Sequence, residues 1–297
     1  MSSQPFGAES SRDVLNEACR SVGLHAGNTE LLRLGENAIY HLLGTDIVVR
    51  IARTMDYWTD AVKEVSVAKW LEHEAFPAAR VTNHDQPLSI AGHPVTFWKF
   101  IEGRRGGPSD ICSLATILRQ LHGLQLPTAV TLPEGTILER VERRIVNSQV
   151  NDADKAFLST RLDELRNAVV ELEFPLPKAP THGDAHVQNL MITGQGAAII
   201  DFERFGWEHP EWDLSMTATE YVTAGWWTDA QYGQFVAAYG YDVTEWSGFD
   251  VLRQVHEIKM TTWLMQNVAE SPEIAAEYEH RMHSIRTGSA AGSWKPF

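Results

Sequence analysis

The sequence is poor in cysteine, and this scarcity excludes several kinds of protein. Only two of the 297 residues are cysteines, Cys19 and Cys112, and they lie far apart. Domains held together by disulfides and zinc sites built from cysteine pairs need more cysteines than this. Cys112 falls on an apolar helical face, and we expect both side chains to be buried thiols in a reducing compartment.

Long apolar runs are also absent. No segment approaches the roughly 18 consecutive apolar residues that predict a membrane-spanning helix. Residues 1–20 mix polar and charged side chains and lack the apolar core of a secretion signal. From these two absences we expect a cytoplasmic protein without a membrane partner.

Positive charge is scarce, because 25 Lys and Arg stand against 39 Asp and Glu and give a formal net charge of −14. Proteins that bind nucleic acid carry basic surfaces, so we expect no nucleic-acid partner. Sixteen of the acidic residues but only six of the basic ones lie in residues 182–297. Such a region attracts a cationic small molecule, or its acidic helix faces serve solubility alone, and the sequence leaves both interpretations open.

Patterns of apolar residues divide the chain into two predicted domains, residues 1–102 and residues 103–297. Alternation predicts four strands in the first domain, at residues 30–34, 38–43, 47–52 and 94–101. Helical spacing predicts a short helix and one main helix there, at residues 11–22 and 59–73. A glycine-rich linker at residues 102–108 leads to a larger, mostly helical domain, whose predicted helices include residues 210–223, 229–239, 249–268 and 272–286. A small antiparallel sheet followed by a helical domain is an α+β fold.

The most informative residues are Asp184, Asn189 and Asp201. Two short apolar runs, residues 190–192 and 197–200, flank a glycine-containing turn and predict a β-hairpin. The hairpin places Asn189, just before its first strand, beside Asp201, just after its second strand. Asp184 lies on the loop that leads into the hairpin.

Two oxygen ligands near a further carboxylate are suited to phosphoryl transfer. Mg²⁺ prefers oxygen ligands and bridges substrate phosphates, and Asn189 and Asp201 supply such oxygens. Asp184 would accept or orient the proton of an attacking hydroxyl. A second interpretation is a zinc hydrolase with His182, His186 and Asp201 as ligands. The lack of a third histidine at ligand spacing and of paired cysteines disfavours it.

Arg50 is the only charged residue of the third predicted strand. Alternation puts Ile47 and Val49 on one side of the strand and Arg50 on the other. Glu64 lies near the inner face of the main helix, from which it could pair with Arg50 and fix this cation for a phosphate group. Alternatively, Arg50 is a surface charge on an edge strand and Glu64 is an exposed charge on the helix.

Together these residues resemble the aminoglycoside phosphotransferase and choline kinase family, whose fold is related to that of the protein kinases. The resemblance covers roughly residues 31–214 and rests on His-Gly-Asp followed five residues later by Asn, and on Ile-Asp at residues 200–201. It implies a bilobal protein-kinase-like fold and the activity of a small-molecule kinase. It also implies Mg²⁺ as the metal and ATP or GTP as the phosphate donor.

The resemblance implies a role for each matching residue. Asp184 would be the catalytic aspartate, and Asn189 and Asp201 would be the magnesium ligands. Arg50 matches the phosphate-binding cation of the family and Glu64 matches its partner. The implied nucleotide contacts are Gly35 in the phosphate loop, Ile39 and Val48 above the base, the hinge from Lys99 to Ile101, and Met191 and Ile200 below the base.

Two departures from the family pattern are visible. The family usually has lysine at the position of Arg50, and arginine keeps the charge without being an equivalent replacement. The phosphate loop, residues 34–38, has one glycine where protein kinases have a G-x-G-x-x-G pattern, which favours the small-molecule branch. Asp213 matches a family aspartate that we interpret as structural.

Residues that bind the acceptor are predicted from composition alone. Aromatic residues concentrate in the C-terminal helices, where they could wall a pocket, bind an amine or only pack the helices. The candidates for acceptor binding are Glu203, Trp226, Trp227 and Trp263. We expect a small, hydroxyl-bearing and cationic acceptor, such as an aminoglycoside-like or other cationic antibiotic whose phosphorylation confers resistance. The alternatives are a choline-like, sugar or amino-alcohol metabolite, or a catalytically inactive relative that senses a nucleotide.

Overall fold

A computed structural model gives the fold of residues 6–35, 37–125, 130–135, 138–269, 271–289 and 292–297. The chain divides into two compact units. The first unit consists of Met1–Arg105, Pro127–Thr131 and Asn189–Glu203, and the second of Gly106–Leu126, Leu132–Gln188 and Arg204–Phe297. The domain boundary predicted at residue 102 stays a prediction.

The described residues form ten strands and nine α-helices in an α+β arrangement, which confirms the predicted fold class. The strands are β1 (Thr29–Leu34), β2 (Asn37–Leu42), β3 (Ile47–Ala52), β4 (Leu88–Ile90), β5 (His93–Lys99), β6 (Arg104–Arg105), β7 (Ala179–Thr181), β8 (Leu190–Thr193), β9 (Gly196–Ile199) and β10 (Gly206–Glu208). The helices are α1 (Ala8–Ser21), α2 (Trp58–His73), α3 (Ile111–His122), α4 (Glu139–Asn147), α5 (Asp152–Val170), α6 (Glu211–Thr219), α7 (Asp229–Tyr239), α8 (Phe249–Leu264) and α9 (Pro272–Thr287).

The first unit is built on an antiparallel sheet with the strand order β1-β2-β3-β5-β4. Tyr40 of β2 pairs with Val49 of β3 on a buried face, which packs against Leu15 of α1. The Tyr40 hydroxyl fixes α1 through hydrogen bonds with Ser11 Oγ (2.8 Å) and the carbonyl oxygen of Ala8 (3.1 Å). The opposite, half-buried face carries three residues that the sequence predicts at the nucleotide: Ile39, Val48 and Arg50.

The first unit also contains the predicted hairpin, formed by β8 and β9, which is confirmed. The strand β6 pairs with β8, so the predicted linker at residues 102–108 begins as the edge of a sheet. Gly103 permits this close approach, because a Cβ atom there would lie 2.3 Å from the carbonyl oxygen of Ile192. A two-residue strand has no detectable alternation, and the sequence therefore did not indicate β6.

The second unit is mostly helical, with one small antiparallel pair formed by β7 and β10. Its core contains apolar residues of α5, α6, α8 and α9, including Leu158, Trp212, Val255 and Met282. Polar side chains define where helices begin: Asn151 caps α5, and Thr228 and Gln231 form a capping box at α7.

Two details of this unit differ from the predictions. Cys112 is exposed, whereas Cys19 is buried. The apolar stripe of α3 includes Ile111, Leu114 and Leu118, and residue 112 lies about 100° away from residue 111 around the helix axis, outside this stripe. The helix predicted at residues 210–223 is α6 followed by a π-helical turn at Glu220–Ala224.

Among the described residues, no helix combines the length and the apolar character that crossing a membrane requires.

Candidate active site

Asp213 anchors the backbone of the predicted catalytic loop. This residue of α6 accepts hydrogen bonds from the N–H groups of His182 (2.7 Å) and Gly183 (2.8 Å). His122, at the end of α3, places its Nε2 3.1 Å from the same carboxylate. Burial raises the pKa of Asp213, but the hydrogen bond from His122 and the nearby histidine charges outweigh burial and lower it. Asp213 is therefore an ionised carboxylate that fixes the loop.

The loop follows this path because residue 183 is glycine. Gly183 has a φ of +75°, in the left-handed region. A Cβ atom at this position would lie 2.3 Å from the carbonyl oxygen of Arg204. His182 is completely buried, and its Nδ1 accepts a hydrogen bond from the N–H of Asp184 (3.3 Å). His182 therefore supports the loop backbone.

Asp184 presents an ionised carboxylate on this loop. Its side chain is 42% exposed, and Nε2 of His186 lies 3.6 Å from Oδ2. Burial raises the pKa of Asp184, but the interaction with His186 and the charge of Lys259 in α8 outweigh burial and hold it well below its usual range. A carboxylate of this kind is a weak base that stays charged at ordinary pH, and it is suited to orienting a hydroxyl group.

The ends of the hairpin bring Asn189 and Asp201 together, as predicted. Leu190 pairs with Ile199, and the N–H of Ile200 donates to the carbonyl oxygen of Asn189 (3.0 Å). Asp201 follows with a φ of +69°, a conformation that is uncommon for residues other than glycine and often occurs at functional sites. Asp184 belongs to the second unit, so the predicted meeting of all three side chains stays a prediction.

The predicted pair of Arg50 and Glu64 is present. Nη1 of Arg50 donates to both carboxylate oxygens of Glu64, at 2.6 and 2.9 Å. The Asn37 amide, in the orientation that satisfies both groups, accepts from Nε (3.2 Å) and Nη2 (2.9 Å) of Arg50. Nη2 also lies 3.7 Å from the carboxylate of Glu203. A guanidinium can serve these partners at once because it has five donors in a fixed plane.

Carboxylates are in excess around this guanidinium. Within the described residues, oxygen atoms of Glu64, Asp201 and Glu203 lie within 4.8 Å of one another. The pKa of Glu64 is raised to about 7, because burial and the charges of Asp201 and Glu203 together outweigh the opposing effect of Arg50. Oxygen donors in negative excess fit a hard divalent cation such as Mg²⁺. Asn189, at the same hairpin end as Asp201, adds an amide to this donor set.

The residues predicted to contact the nucleotide belong to the first unit. The N–H of Gly35 donates to the carbonyl oxygen of Asn37 (3.0 Å), whereas Glu36 of the same loop lies outside the described residues. In the hinge, the N–H of Lys99 donates to the carbonyl oxygen of Arg80 (2.8 Å). Several predicted contacts are half-buried: Ile39, Val48, Ile101, Met191 and Ile200.

The predicted acceptor residues lie in different environments. Trp227 is buried, and its indole N–H donates to Oε2 of Glu220 (2.8 Å). Trp226 donates to the carbonyl oxygen of Trp294 (2.6 Å). Trp263 is exposed on α8, and Glu203 lies in the carboxylate cluster of the first unit. Glu203 belongs to the first unit and the three tryptophans to the second, so a shared acceptor site stays a prediction.

Sequence reasoning missed three charged or polar residues near Asp184 and Asp213. His122 is a hydrogen-bond partner of Asp213. The charge of Lys259 lowers the pKa of Asp184, and the charge of Asp184 raises the pKa of Glu220. All three lie on helices distant in sequence, so spacing gives no signal for them. The one available hint was a glutamate, Glu220, within an otherwise uncharged stretch that ends in Gly-Trp-Trp.

Comparison with known protein families identifies the chain. A family model described as the phosphotransferase enzyme family, APH, matches residues 30–255, which is most of the chain. The chain belongs to this family. It is a small-molecule kinase, as the sequence predicts. A comparison with curated proteins finds no match.

Solved structures with the same fold support the protein-kinase-like architecture. An amicoumacin kinase, solved with AMP-PNP, Ca²⁺ and Ami, shares 15% identity over 98% of both chains with a TM-score of 0.74. A microcompartment-associated aminopropanol kinase shares 16% identity over 96% of this chain and 99% of its own, with a TM-score of 0.71. A choline/ethanolamine kinase family protein from Mesorhizobium loti shares 19% identity over 92% and 94%, with a TM-score of 0.64.

Proposed function

We propose that this protein transfers the γ-phosphate of ATP or GTP to a hydroxyl group of a small, positively charged molecule in the cytoplasm. The observation that carries the proposal is the hairpin that joins Asn189 to Asp201, directly after the loop that holds Asp184 as an ionised carboxylate. Family membership supports the phosphotransferase activity. Aminoglycoside-like antibiotics and amino alcohols are the acceptor classes to test.

Asn189 and Asp201 would hold Mg²⁺, which neutralises negative charge on the donor phosphates when it is bound. Their oxygen atoms suit this ion, and the neighbouring Glu64 and Glu203 add negative charge to the same region. Arg50, fixed by Glu64, supplies a cation for the donor phosphates. The half-buried face that carries Ile39 and Val48 would cover one side of the base. Met191 and Ile200 would cover the other side, and the hinge from Lys99 to Ile101 would bind its edge.

Asp184 would orient the acceptor hydroxyl for attack. The acceptor oxygen bonds to the γ-phosphorus, the bond between this phosphorus and the bridging oxygen breaks, and the hydroxyl proton passes to the carboxylate. Because the pKa of Asp184 is lowered, it accepts this proton only as the new O–P bond acidifies the hydroxyl. Asp213 and His122 keep the loop in place during this step.

Structures of similar fold include kinases of amicoumacin, choline and aminopropanol and phosphotransferases solved with kanamycin or spectinomycin, and these five compounds are the acceptors for a test. Purified protein with ATP or GTP and Mg²⁺ is incubated with each, and mass spectrometry detects the gain of one phosphate. We expect Asp184→Asn to lower the rate by about 10²–10⁴-fold while nucleotide affinity and melting temperature are kept.

An Asp184→Asn variant with full activity would contradict the role of this residue. Mg²⁺-dependent nucleotide binding without phosphorylation of any acceptor would instead favour the nucleotide sensor.

A further inference from the structure

A bulge in β1 determines where Arg33 points. The register between β1 and β2 shifts just before Arg33, so that Leu32 is an extra residue and Arg33 pairs with Ile39. With an unshifted register, Arg33 would pair with the buried Ala38. Opposed residues of an antiparallel pair point to the same face, so the bulge turns Arg33 to the half-buried face that carries Ile39 and Val48. Bulges occur often beside active sites, where they re-aim a side chain.

A second arginine lies beside the opposite wall of the predicted base site. Arg105 of β6 pairs with Met191 of β8, and these two side chains point to the same face. Met191 is proposed to cover one side of the base and Ile39 the other. Arg33 and Arg105 therefore lie on the strands next to these two walls, and both belong to the first unit.

The two arginines lie near enough to act on each other. The pKa of Arg105 is lowered, because partial burial of its guanidinium and the charge of Arg33 together outweigh the opposing charge of Asp201. Arg105 thus lies within electrostatic reach of Arg33 and also of a proposed magnesium ligand. Like charges that a fold holds near each other repel, and an anion bound between them offsets this repulsion.

The Arg33 side chain is open to a ligand. The residue is exposed, and within the part of the chain that the structure describes no hydrogen bond or ion pair holds its guanidinium. Arg53 of the same unit, by contrast, donates to the carbonyl oxygen of Gly35 (3.2 Å). The bulge therefore places on the half-buried face a cation that no residue of the described chain neutralises.

The position of the pair indicates which anion it meets. In a nucleoside triphosphate, the sugar and the first phosphate connect the base to the phosphates that a metal ion binds. Arg33 and Arg105 lie beside the walls of the base site, and Arg105 also senses the charge of Asp201. The pair is therefore located along this connection. A guanidinium is suited to phosphate because it donates two parallel N–H groups to its oxygens.

We propose that Arg33 and Arg105 bind the donor phosphates nearest the sugar, as an anion-binding pair in addition to Arg50. This inference rests on the proposed function. It makes the affinity for the donor depend on two cations outside the clamp that Arg50 forms with Glu64. A nucleoside without phosphate should gain nothing from the pair.

The test is calorimetric titration with ADP and adenosine in the presence of Mg²⁺, repeated with GDP and guanosine because the donor base is not fixed. No acceptor is needed. We expect the wild type to bind one diphosphate more tightly than its nucleoside. Arg33→Gln and Arg105→Gln should each weaken binding of this diphosphate by about 10-fold and leave the nucleoside unchanged.

Arg104→Gln is the matched control. It removes the same charge from the same short strand, but Arg104 pairs with Ile192 and therefore points to the other face from Arg105. We expect it to keep the affinity for the diphosphate. Melting temperatures without nucleotide show whether each variant folds. If Arg105→Gln does not fold, Arg33→Gln at the exposed position in β1 tests the proposal by itself, and Arg33→Lys should restore part of the affinity.

Two results would overturn this inference alone: a diphosphate bound with unchanged affinity by Arg33→Gln and Arg105→Gln, or an equal loss in Arg104→Gln, which would indicate a general effect of charge. An equal loss for the nucleoside would also overturn it, because the arginines would then act on the base or the sugar. A wild type that binds neither diphosphate would contradict the proposed function itself and this pair with it.

Discussion

At the residue scale, the Arg50 guanidinium donates to Glu64 and Asn37 and lies near Glu203. This explains arginine at a position where the family usually has lysine. A lysine ammonium has its three donors on one nitrogen atom, whereas the guanidinium presents separate nitrogens to Glu64 and Asn37. Arginine at this site therefore contributes to the stability of the first unit, in addition to the phosphate binding that we propose for it.

We predict that Arg50→Lys lowers the free energy of unfolding by about 1–3 kcal/mol, because part of the hydrogen bonding to the buried Glu64 is lost. Urea denaturation measures this change. Arg166→Lys is the control, since Arg166 pairs with the exposed Glu142 and Asp163 and should lose less than about 0.5 kcal/mol. An equal effect of the two substitutions would show that the hydrogen bonds between Arg50 and Glu64 do not stabilise the fold.

A second prediction concerns Gly183. Gly183→Ala combines a left-handed backbone with a Cβ atom 2.3 Å from the Arg204 carbonyl oxygen. We expect a loss of at least about 2 kcal/mol in unfolding free energy and a fall in kcat, because the loop that holds Asp184 must move. Gly194→Ala is the matched control in the hairpin turn, where a Cβ atom meets nothing within 4 Å. Gly183→Ala with the stability and activity of Gly194→Ala would show that the loop tolerates a side chain.

At the scale of elements, Asp213 joins the start of α6, the end of α3 and the predicted catalytic loop. We predict that Asp213→Asn destabilises the protein by about 3–5 kcal/mol at neutral pH, because an amide cannot accept from both loop N–H groups and His122. We also expect kcat to fall more than the affinity for nucleotide. Unfolding and steady-state kinetics measure both effects.

The contribution of Asp213 to the free energy of unfolding should decrease as the pH falls. The folded-state pKa of Asp213 lies below its unfolded value, so its stabilisation is complete above the unfolded pKa of about 4 and disappears as the pH falls through the folded-state pKa. The difference between wild type and Asp213→Asn should therefore shrink in acid. Asp163→Asn, at a side chain that is 70% exposed, is the control and should change little. A difference that stays constant down to strong acid would exclude this role for the ionised carboxylate.

The sequence predicts the elements whose pattern is local. The strand β3 alternates over six residues and its bounds are predicted correctly, and the hairpin of β8 and β9 follows from two apolar runs around one turn. The strands β6, β7 and β10 have two or three residues and depend on distant partners, so no period indicates them. The π-helical turn at Glu220–Ala224 depends equally on tertiary contacts, such as the approach of Gly225 to Gly292.

The residues of the candidate site also divide into those that a local sequence pattern predicts and those that depend on distant partners. Asn189 and Asp201 are predictable because one hairpin fixes their separation, and Glu64 because helical spacing turns it toward the sheet that carries Arg50. Lys259 and Glu220 come from helices far along the chain, and only the packing of α6 and α8 in the second unit relates them to Asp184. Cys112 was predicted to be buried but is exposed, because it lies one position away from the buried Ile111 on α3.

At the scale of the whole molecule, charge is distributed unevenly. The formal net charge is −14, and residues 182–297 hold sixteen acidic residues against six basic ones. Charge of one sign raises the local concentration of ligands of the opposite sign and speeds their capture. A need for solubility alone would give the same composition. The rate at which a cationic ligand binds distinguishes solubility from long-range attraction.

We predict that kcat/KM for a cationic acceptor falls about 3- to 10-fold as the ionic strength rises from about 0.01 M to about 1 M, while kcat changes little. Over this range the Debye length shrinks from roughly 30 Å to roughly 3 Å, which removes long-range attraction and leaves contacts within the site intact. The anionic complex of ATP with Mg²⁺ provides an internal control, because the same negative field repels it and its kcat/KM should stay level or rise with salt. If the constants for both substrates fall together, salt acts on the protein itself and not through its field. If neither changes, the acidic excess of residues 182–297 does not attract the acceptor from a distance, which favours solubility as its role.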